Sequence, residues 1–198
     1  MNIKKFRRLA LATGVACLSL SGVAQAACPT VSVSQPFKQF NDPRYYTLAP
    51  GGGFESGMAS WTLNGGSLVS GNESYFLRNA KDVGSLQIAG NGVAVSPSFC
   101  VDSTMPTLRL VAKKVDPKVI GQIKVEVLYK TSTGATGVAN AGNVSQGGAN
   151  GYPTWQPSNS LAIASLKVTG AYSAQIRLTA DNGGAWQVDD VYVDPRMY

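Results

Sequence analysis

The carboxylates are the side chains of this 198-residue sequence with the widest range of possible chemistry. Glu55 stands in GGGFESG, Glu73 in GNESY, and an Asp189–Asp190 pair in AWQVDDVYV. Two carboxyl groups can hydrolyse a glycosidic bond, but no spacing here places an acid of raised pKa beside a nucleophile. The chain contains no histidine, which excludes a Ser-His-Asp triad, a Cys-His nucleophile and histidine-ligated zinc. These features favour a protein that is not an enzyme.

A second group of candidate residues lies in a stretch rich in glycine and proline, residues 131–160. Aromatic rings stack on the apolar faces of sugars, and amide groups bond the sugar hydroxyls. Tyr152 and Trp155, with Asn150 and Gln156 beside them, therefore form a candidate sugar platform, and Tyr75 and Tyr129 are possible helpers. The alternative is that Trp155, which precedes a strand, caps the hydrophobic core.

Short β-strands must position these residues, because five segments alternate apolar and polar residues with a period of two. The segments begin at Leu108, Ile123, Leu161, Ala174 and Ala185. Turn-forming stretches such as VDPK and ADNGGA separate them, and no amphipathic helical window of useful length is present. The pattern predicts an all-β antiparallel sandwich or barrel over residues 51–198, preceded by an irregular lead-in over residues 27–50.

The first 26 residues have the organisation of a secretion signal. A basic start is followed by the apolar stretch LALATGVACLSL and by the small-residue cleavage site AQA. The apolar stretch is too short to span a bilayer, so no membrane span is expected. Lipoprotein processing is disfavoured because neither Cys17 nor Cys28 follows the leucine-plus-small-residue pattern. We therefore predict a secreted, extracellular protein.

Removal of this signal changes both the charge and the cysteine count. Four of the 17 basic residues lie in the signal, which leaves 13 basic against 11 acidic residues and a net charge of +2. A nearly neutral chain with scattered charges lacks the basic stripe that nucleic-acid binding needs. Two cysteines remain, Cys28 and Cys100, and an oxidising compartment favours a disulfide between them over two buried free thiols.

Several of these segments together resemble secreted jelly-roll domains of the galactose-binding-like superfamily, in particular carbohydrate-binding modules. The resemblance rests on GGGFESG followed by tryptophan, GSLVSGNESY, GSLQIAGNGVAVSPSFCV and the final AWQVDDVYVDP. It covers most of residues 50–195 and implies an antiparallel two-sheet β-sandwich of jelly-roll type. The lead-in and the predicted disulfide depart from the usual module, and many proteins with this fold bind no sugar.

The resemblance also implies a structural calcium ion that joins the opening segment to the final strand. Carried over to this sequence, its ligands are Glu55 and Asp189, with Glu73 and backbone carbonyls as further ligands. Calcium takes six to eight oxygen ligands, which can come from distant segments of a chain. Strand alternation predicts that Asp190 points away from Asp189. The alternative is that Glu55 is an exposed turn residue or an ion-pair partner.

The function that these observations favour is non-catalytic binding of a polysaccharide or cell-surface glycan. The second hypothesis is an extracellular structural or adhesive protein that uses the same sandwich to bind another protein. The third is an enzyme similar to the glycoside hydrolases, which would need a cleft with two suitably spaced carboxyl groups.

Overall fold

The computed structural model describes residues 28–56, 60–101, 107–145, 151–163 and 171–194. The predicted signal, residues 1–26, lies outside these ranges. The strands are β1 (Thr47–Leu48), β2 (Thr62–Ser70), β3 (Gly84–Val95), β4 (Phe99–Cys100), β5 (Thr107–Lys114), β6 (Gln122–Thr131), β7 (Thr136–Val144), β8 (Gln156–Pro157), β9 (Leu161–Ala162), β10 (Ala171–Asp181) and β11 (Trp186–Val193). One 3₁₀ turn, Lys38–Phe40, lies in the lead-in. Among the described residues, no helix has the length and hydropathy needed to cross a bilayer.

The strands form one antiparallel sheet in the order β7-β6-β10-β3-β11-β5-β8, and β3 bends it into two layers. The beginning of β3 pairs with β11 through residues 86–88, whereas its end pairs with β10 through residues 93–95. Glycine is required at the bend, because a Cβ on Gly90 would lie 2.1 Å from the carbonyl oxygen of Gly183. The first layer is therefore β7-β6-β10 and the second is β5-β11. This arrangement confirms the predicted all-β jelly-roll sandwich.

Alternating residues of the two layers face each other and form the main core. Ile123, Val125 and Val127 point inward from β6, and Leu108 and Leu110 point inward from β5; all are at most 1% exposed. The predicted strands that begin at Leu108, Ile123, Ala174 and Ala185 correspond to β5, β6, β10 and β11. Only residues 161–162 of the segment beginning at Leu161 are described as strand, and residues 164–170 lie outside the description.

The lead-in packs onto the outer face of the second layer. Phe37 and Tyr46 are fully buried there and form a second hydrophobic cluster with Val111 of β5, Tyr192 of β11 and Trp155. A β-bridge between Ser34 and Tyr46 and the pairing of β1 with β11 hold the segment in place. The predicted disulfide between Cys28 and Cys100 is present, with its Cα atoms 5.5 Å apart.

The two outer faces of the sandwich therefore differ. The lead-in covers much of the outer face that β5 and β11 form. No described segment packs a comparable cluster against the outer face of β7, β6 and β10. We call this second surface the open face.

Candidate functional site

The outward side chains of β7, β6 and β10 form the open face. Residues directly opposite each other in antiparallel strands point to the same side of the sheet, so the register defines the neighbours. Successive rows lie about 6.8 Å apart, because alternate residues point outward and each advances about 3.4 Å. The rows, written from β7 through β6 to β10, are Thr136/Lys130/Ser173, Val138/Leu128/Gln175, Asn140/Glu126/Arg177 and Asn143/Lys124/Thr179.

An ionic network occupies the middle of the open face. Glu126 is only 7% exposed and lies at the floor of the face. Its Oε1 is 2.8 Å from Lys124 Nζ, and its Oε2 accepts a 2.9 Å hydrogen bond from Arg177 Nε. Burial alone would raise the pKa of Glu126, but the hydrogen bonds from Lys124 and Arg177 outweigh burial and lower it. The carboxylate is therefore ionised at neutral pH and fixes both cations.

A groove of about 550 Å³ lies beside this network on the same face. Leu128 and Val138 supply apolar surface, whereas Lys130, Gln175 and Ser98 supply polar groups. Such a mixture of a small apolar strip with several hydrogen-bonding groups is typical of sites for polar organic ligands.

Tyr129 lies between Leu128 and Lys130 in β6, so its ring points away from the open face, packs at the margin of the main core and lies over Gly137 of the neighbouring strand. A Cβ on Gly137 would lie 2.3 Å from the hydroxyl oxygen of Tyr129, so a larger residue there would displace the ring. Tyr129 was one of the possible helper residues; its position in β6 borders the groove, but its ring faces the opposite side of the sheet.

The predicted aromatic platform is located elsewhere and is not exposed. Tyr152 is 1% exposed, and its ring packs edge-on against Trp186 with centroids 5.5 Å apart. Trp155 is 8% exposed and belongs to the cluster beneath the lead-in, where Lys113 Nζ lies 4.8 Å from its ring centroid. Both rings are therefore part of the interior instead of a sugar-stacking surface.

The other two members of that platform do not restore it. Gln156 is partly exposed in β8 and pairs with Ala112 of β5, on the layer opposite to the open face. Asn150 lies outside the described residues. Tyr75 donates a 2.8 Å hydrogen bond from its hydroxyl to the carbonyl oxygen of Trp155, so it supports the buried cluster.

A buried group of carboxyls lies where β11 meets the loop between β2 and β3. Glu73 and Asp189 are fully buried, Asp190 is 1% exposed and Asp82 is 8% exposed. The backbone N–H of Glu73 donates to Asp189 Oδ2 at 3.0 Å, which ties the loop to the final strand. Arg78 forms an ion pair with Asp82 and offsets part of the negative charge.

The expected alternation of Asp189 and Asp190 is wrong because β11 bulges at this point. The register with β5 shifts between Asp189 and Tyr192, and Asp190 has a left-handed φ of 47°. Burial raises the pKa of Asp189 to about 8, and the charge of Asp190 adds to this effect. Burial also raises the pKa of Asp190 to about 7, and the charge of Glu73 reinforces the shift. Both carboxyls thus lie close to Glu73.

The buried carboxyls differ in how many hydrogen bonds they accept. Asp189 Oδ1 accepts a 2.8 Å hydrogen bond from the backbone N–H of Asp190, and Glu73 Oε1 accepts one of 2.6 Å from Leu77. Neither oxygen of Asp190 accepts a well-formed hydrogen bond. Asp190, which the sequence reasoning set aside, therefore carries the least satisfied carboxylate of the group.

Glu55 lies at the edge of this group and holds the start of β3. Its Oε1 accepts hydrogen bonds from the backbone N–H groups of Val83 and Gly84, at 2.8 and 2.7 Å. Its negative charge also contributes to a raised pKa of Asp82, although burial is the larger cause. Across the described residues, no three acidic, cysteine or histidine side chains are arranged as a ready metal site.

No protein-family model matches the sequence, and no curated protein is significantly similar to it. Solved structures do share its fold. The N-terminal CBM22-1–CBM22-2 tandem domain of Paenibacillus barcinonensis Xyn10C matches 87% of the chain at 14% identity, with a TM-score of 0.52. The CBM22-1–GH10 modules of Clostridium thermocellum endo-1,4-beta-D-xylanase 10B, complexed with xylohexaose, match 77% at 13% identity, with a TM-score of 0.51. The match spans 49% and 28% of those chains, respectively. The chain thus has the fold of these carbohydrate-binding modules.

Proposed function

We propose that this protein is a secreted, non-catalytic module that binds carbohydrate on its open face. The observation that carries the proposal is the difference between the two outer faces, since the lead-in covers one and the other presents a groove beside a fixed ionic network. Amides, hydroxyls and charged groups surround Leu128 and Val138, and sugars need this combination of polar partners and apolar contact. Similarity of fold to carbohydrate-binding modules supports the same class of ligand.

Secretion is supported by two independent features. The N-terminal sequence has the three parts of a signal peptide. The disulfide between Cys28 and Cys100 also fits an oxidising compartment.

The test is retention of the mature protein in gels that contain polysaccharides, with a set that includes xylan, cellulose derivatives, pectins and alginate. We expect retention by at least one polymer and a loss of affinity of about 3- to 10-fold for Gln175→Ala, the effect of one net hydrogen bond. Gln87→Ala is the matched control, because Gln87 is a partly exposed glutamine of β3 that pairs with β11 on the other layer.

Equal losses for both glutamine variants would mean that the open face is not the binding site. Failure of every polysaccharide to retain the protein would contradict carbohydrate binding and favour the second hypothesis, an adhesive domain with a protein partner. Hydrolysis of any polymer in the same set would contradict the non-catalytic assignment.

We also propose that a calcium ion binds at the cluster of buried carboxyls between β11 and the loop that carries Glu73. The donor set supports this proposal, because Asp190 is buried without a well-formed hydrogen bond and Glu73 and Asp189 lie close to it. Asp190 and Glu73 would hold the ion, backbone carbonyls would complete its shell, and Asp189 and Glu55 would orient the surrounding backbone. Calcium would neutralise the buried charge and join the loop to the last strand.

Calcium binding is tested by metal analysis of the purified protein and by melting with and without a chelator. Calcium that is 100-fold above its dissociation constant should stabilise the native state by about 2.7 kcal/mol. Asp190→Asn should remove the response to calcium, whereas Asp116→Asn, at an exposed turn, should keep it. A metal-free protein whose melting temperature ignores both chelator and calcium would contradict the site.

A further inference from the structure

The open face carries more positive than negative charge where a ligand would meet it. Its basic side chains are Lys124, Lys130 and Arg177, and its acidic ones are Glu126 and Asp181. Glu126 lies at the floor with its side chain 9% exposed, whereas those of Lys124 and Arg177 are 43% and 32% exposed. Asp181 lies one row beyond Lys124, at the end remote from the groove. A ligand at the groove therefore meets Lys130, and a ligand that extends along the face also meets Arg177 in the row beyond Gln175.

These cations keep hydrogen-bond donors available although two of them are paired with Glu126. A guanidinium group has five N–H donors, and Arg177 uses Nε and Nη2 on one carboxylate oxygen. Lys124 contacts the other oxygen with one of its three donors. Within the part of the chain that the structure describes, Lys130 forms no ion pair and lines the groove.

The geometry points to polysaccharides that carry carboxylate groups, such as chains of uronic acids, as the preferred ligands, and we propose this selectivity over neutral sugars. Glu126 fixes the guanidinium of Arg177 so that its free N–H groups can bind a sugar carboxylate, an interaction that favours arginine. Lys130 lies two rows away, about 14 Å along the strands, so an extended chain could place a second carboxylate there. Between them, Leu128 offers apolar contact and Gln175 a hydrogen-bonding amide. This inference rests on the proposed carbohydrate function.

The experiment compares each acidic polymer with its own neutral form. Polygalacturonate, alginate and hyaluronate are tested beside their methyl esters, which keep the backbone and lose the charge. We expect at least 10-fold tighter binding of one acidic polymer than of its ester, and an affinity that falls as salt is added. Lys130→Gln should weaken that binding several-fold and Lys130→Arg should retain it. Lys118→Gln, at the exposed turn between β5 and β6, is the control that should change nothing.

The outcomes separate this inference from the function on which it rests. Equal binding of acid and ester, or binding of neutral polymers alone, would overturn the selectivity and leave carbohydrate binding intact. Acid binding that persists in both Lys130→Gln and Arg177→Gln would also overturn it, because the attraction would then arise elsewhere. Binding to no polysaccharide at all would defeat the proposed function itself. Lys130→Gln keeps the test valid if Arg177→Gln fails to fold, because Lys130 is not part of the network around Glu126.

Discussion

The lead-in is fastened to the second layer by a buried network around Asp42. Asp42 Oδ2 accepts hydrogen bonds from the Tyr46 hydroxyl at 2.6 Å, Arg109 Nη1 at 2.7 Å and Arg44 Nη2 at 2.9 Å. Burial alone would raise the pKa of Asp42, but the hydrogen bonds from Arg44, Tyr46 and Arg109 outweigh it and hold the pKa well below its usual range. Replacing Asp42 by alanine removes the acceptor that all three donors share.

The expected loss in the free energy of unfolding is about 3 to 4 kcal/mol. Removal of one partner from a buried ion pair costs about 3 to 5 kcal/mol, and the side chain of Arg109 is only 10% exposed. Arg109 keeps its hydrogen bonds to the carbonyl oxygen of Ser158, at 2.9 and 2.6 Å, which limits the loss. Arg44→Ala should cost only about 0 to 1 kcal/mol, because the side chain of Arg44 is 35% exposed.

Urea unfolding followed by tryptophan fluorescence measures the free energy of unfolding of both variants, and thermal unfolding measures their melting temperatures. For a domain of this size, a loss of 3 to 4 kcal/mol should lower the melting temperature by roughly 6 to 16 °C. The stability that Asp42 contributes is present above its unfolded pKa of 3.8 and is lost as the pH falls, so Asp42→Ala should also weaken the acid dependence of unfolding. A loss below about 1 kcal/mol, or one equal to that of Arg44→Ala, would refute the reasoning.

Three further predictions concern other parts of the fold. Cys100→Ser should lower the free energy of unfolding by about 2 to 5 kcal/mol, since the disulfide closes a loop with a sequence separation of 72; an unchanged urea midpoint would contradict this. Trp155→Ala should lower it by about 3 to 5 kcal/mol, because the ring is buried, and an unchanged melting temperature would indicate an exposed ring. Without calcium, stability should fall as the pH rises from about 4 to about 8, because folding raises the pKa of Asp189 to about 8 and of Asp190 to about 7, so the native state binds more protons. Added calcium should flatten that pH profile. A flat profile in chelator would contradict the raised pKa values of these two buried carboxyls.

The strands that the sequence could predict are those with one buried and one solvated face. Polar and apolar residues alternate from Gln122 to Val127 of β6 and from Ser173 to Asp181 of β10, because the inner side chains meet the core and the outer ones form the open face. β2 escaped prediction because none of its side chains is fully buried along the edge of the sheet. Its Gly65 also adopts a φ of 72°, where the register with β3 shifts and the period of two is lost.

Two features explain where the site predictions failed, one a local bulge and the other burial by a distant segment. The bulge in β11 places Asp189 and Asp190 near the same loop, and alternation along the sequence cannot reveal a bulge. The glycine- and proline-rich context of Trp155 suggested an exposed ring. Its burial depends on Phe37 and Tyr46, more than 100 residues earlier in the sequence, which cover it. Burial by a distant segment is a tertiary effect without a local sequence signal.

The sequence did not reveal the ionic network of the open face, because its residues occupy ordinary outward positions. Lys124, Glu126 and Arg177 occupy outward positions of predicted strands, where charged residues normally need no explanation other than solvation. What distinguishes them is the register of β6 with β10, which places Glu126 opposite Arg177 and buries the carboxylate between two cations. Registers depend on pairings between distant segments, so the network becomes recognisable only in the folded sheet.

The lead-in both stabilises the fold and determines which outer face is available to a ligand. A two-layer sandwich has two outer faces, and burial of Phe37, Tyr46 and Trp155 against one of them removes that face from contact with large ligands. The network around Asp42 and the disulfide to Cys100 fix this cover from two directions. The network around Glu126 shares no residue with either, so the covered face can be optimised for stability while the open face remains free to vary for recognition.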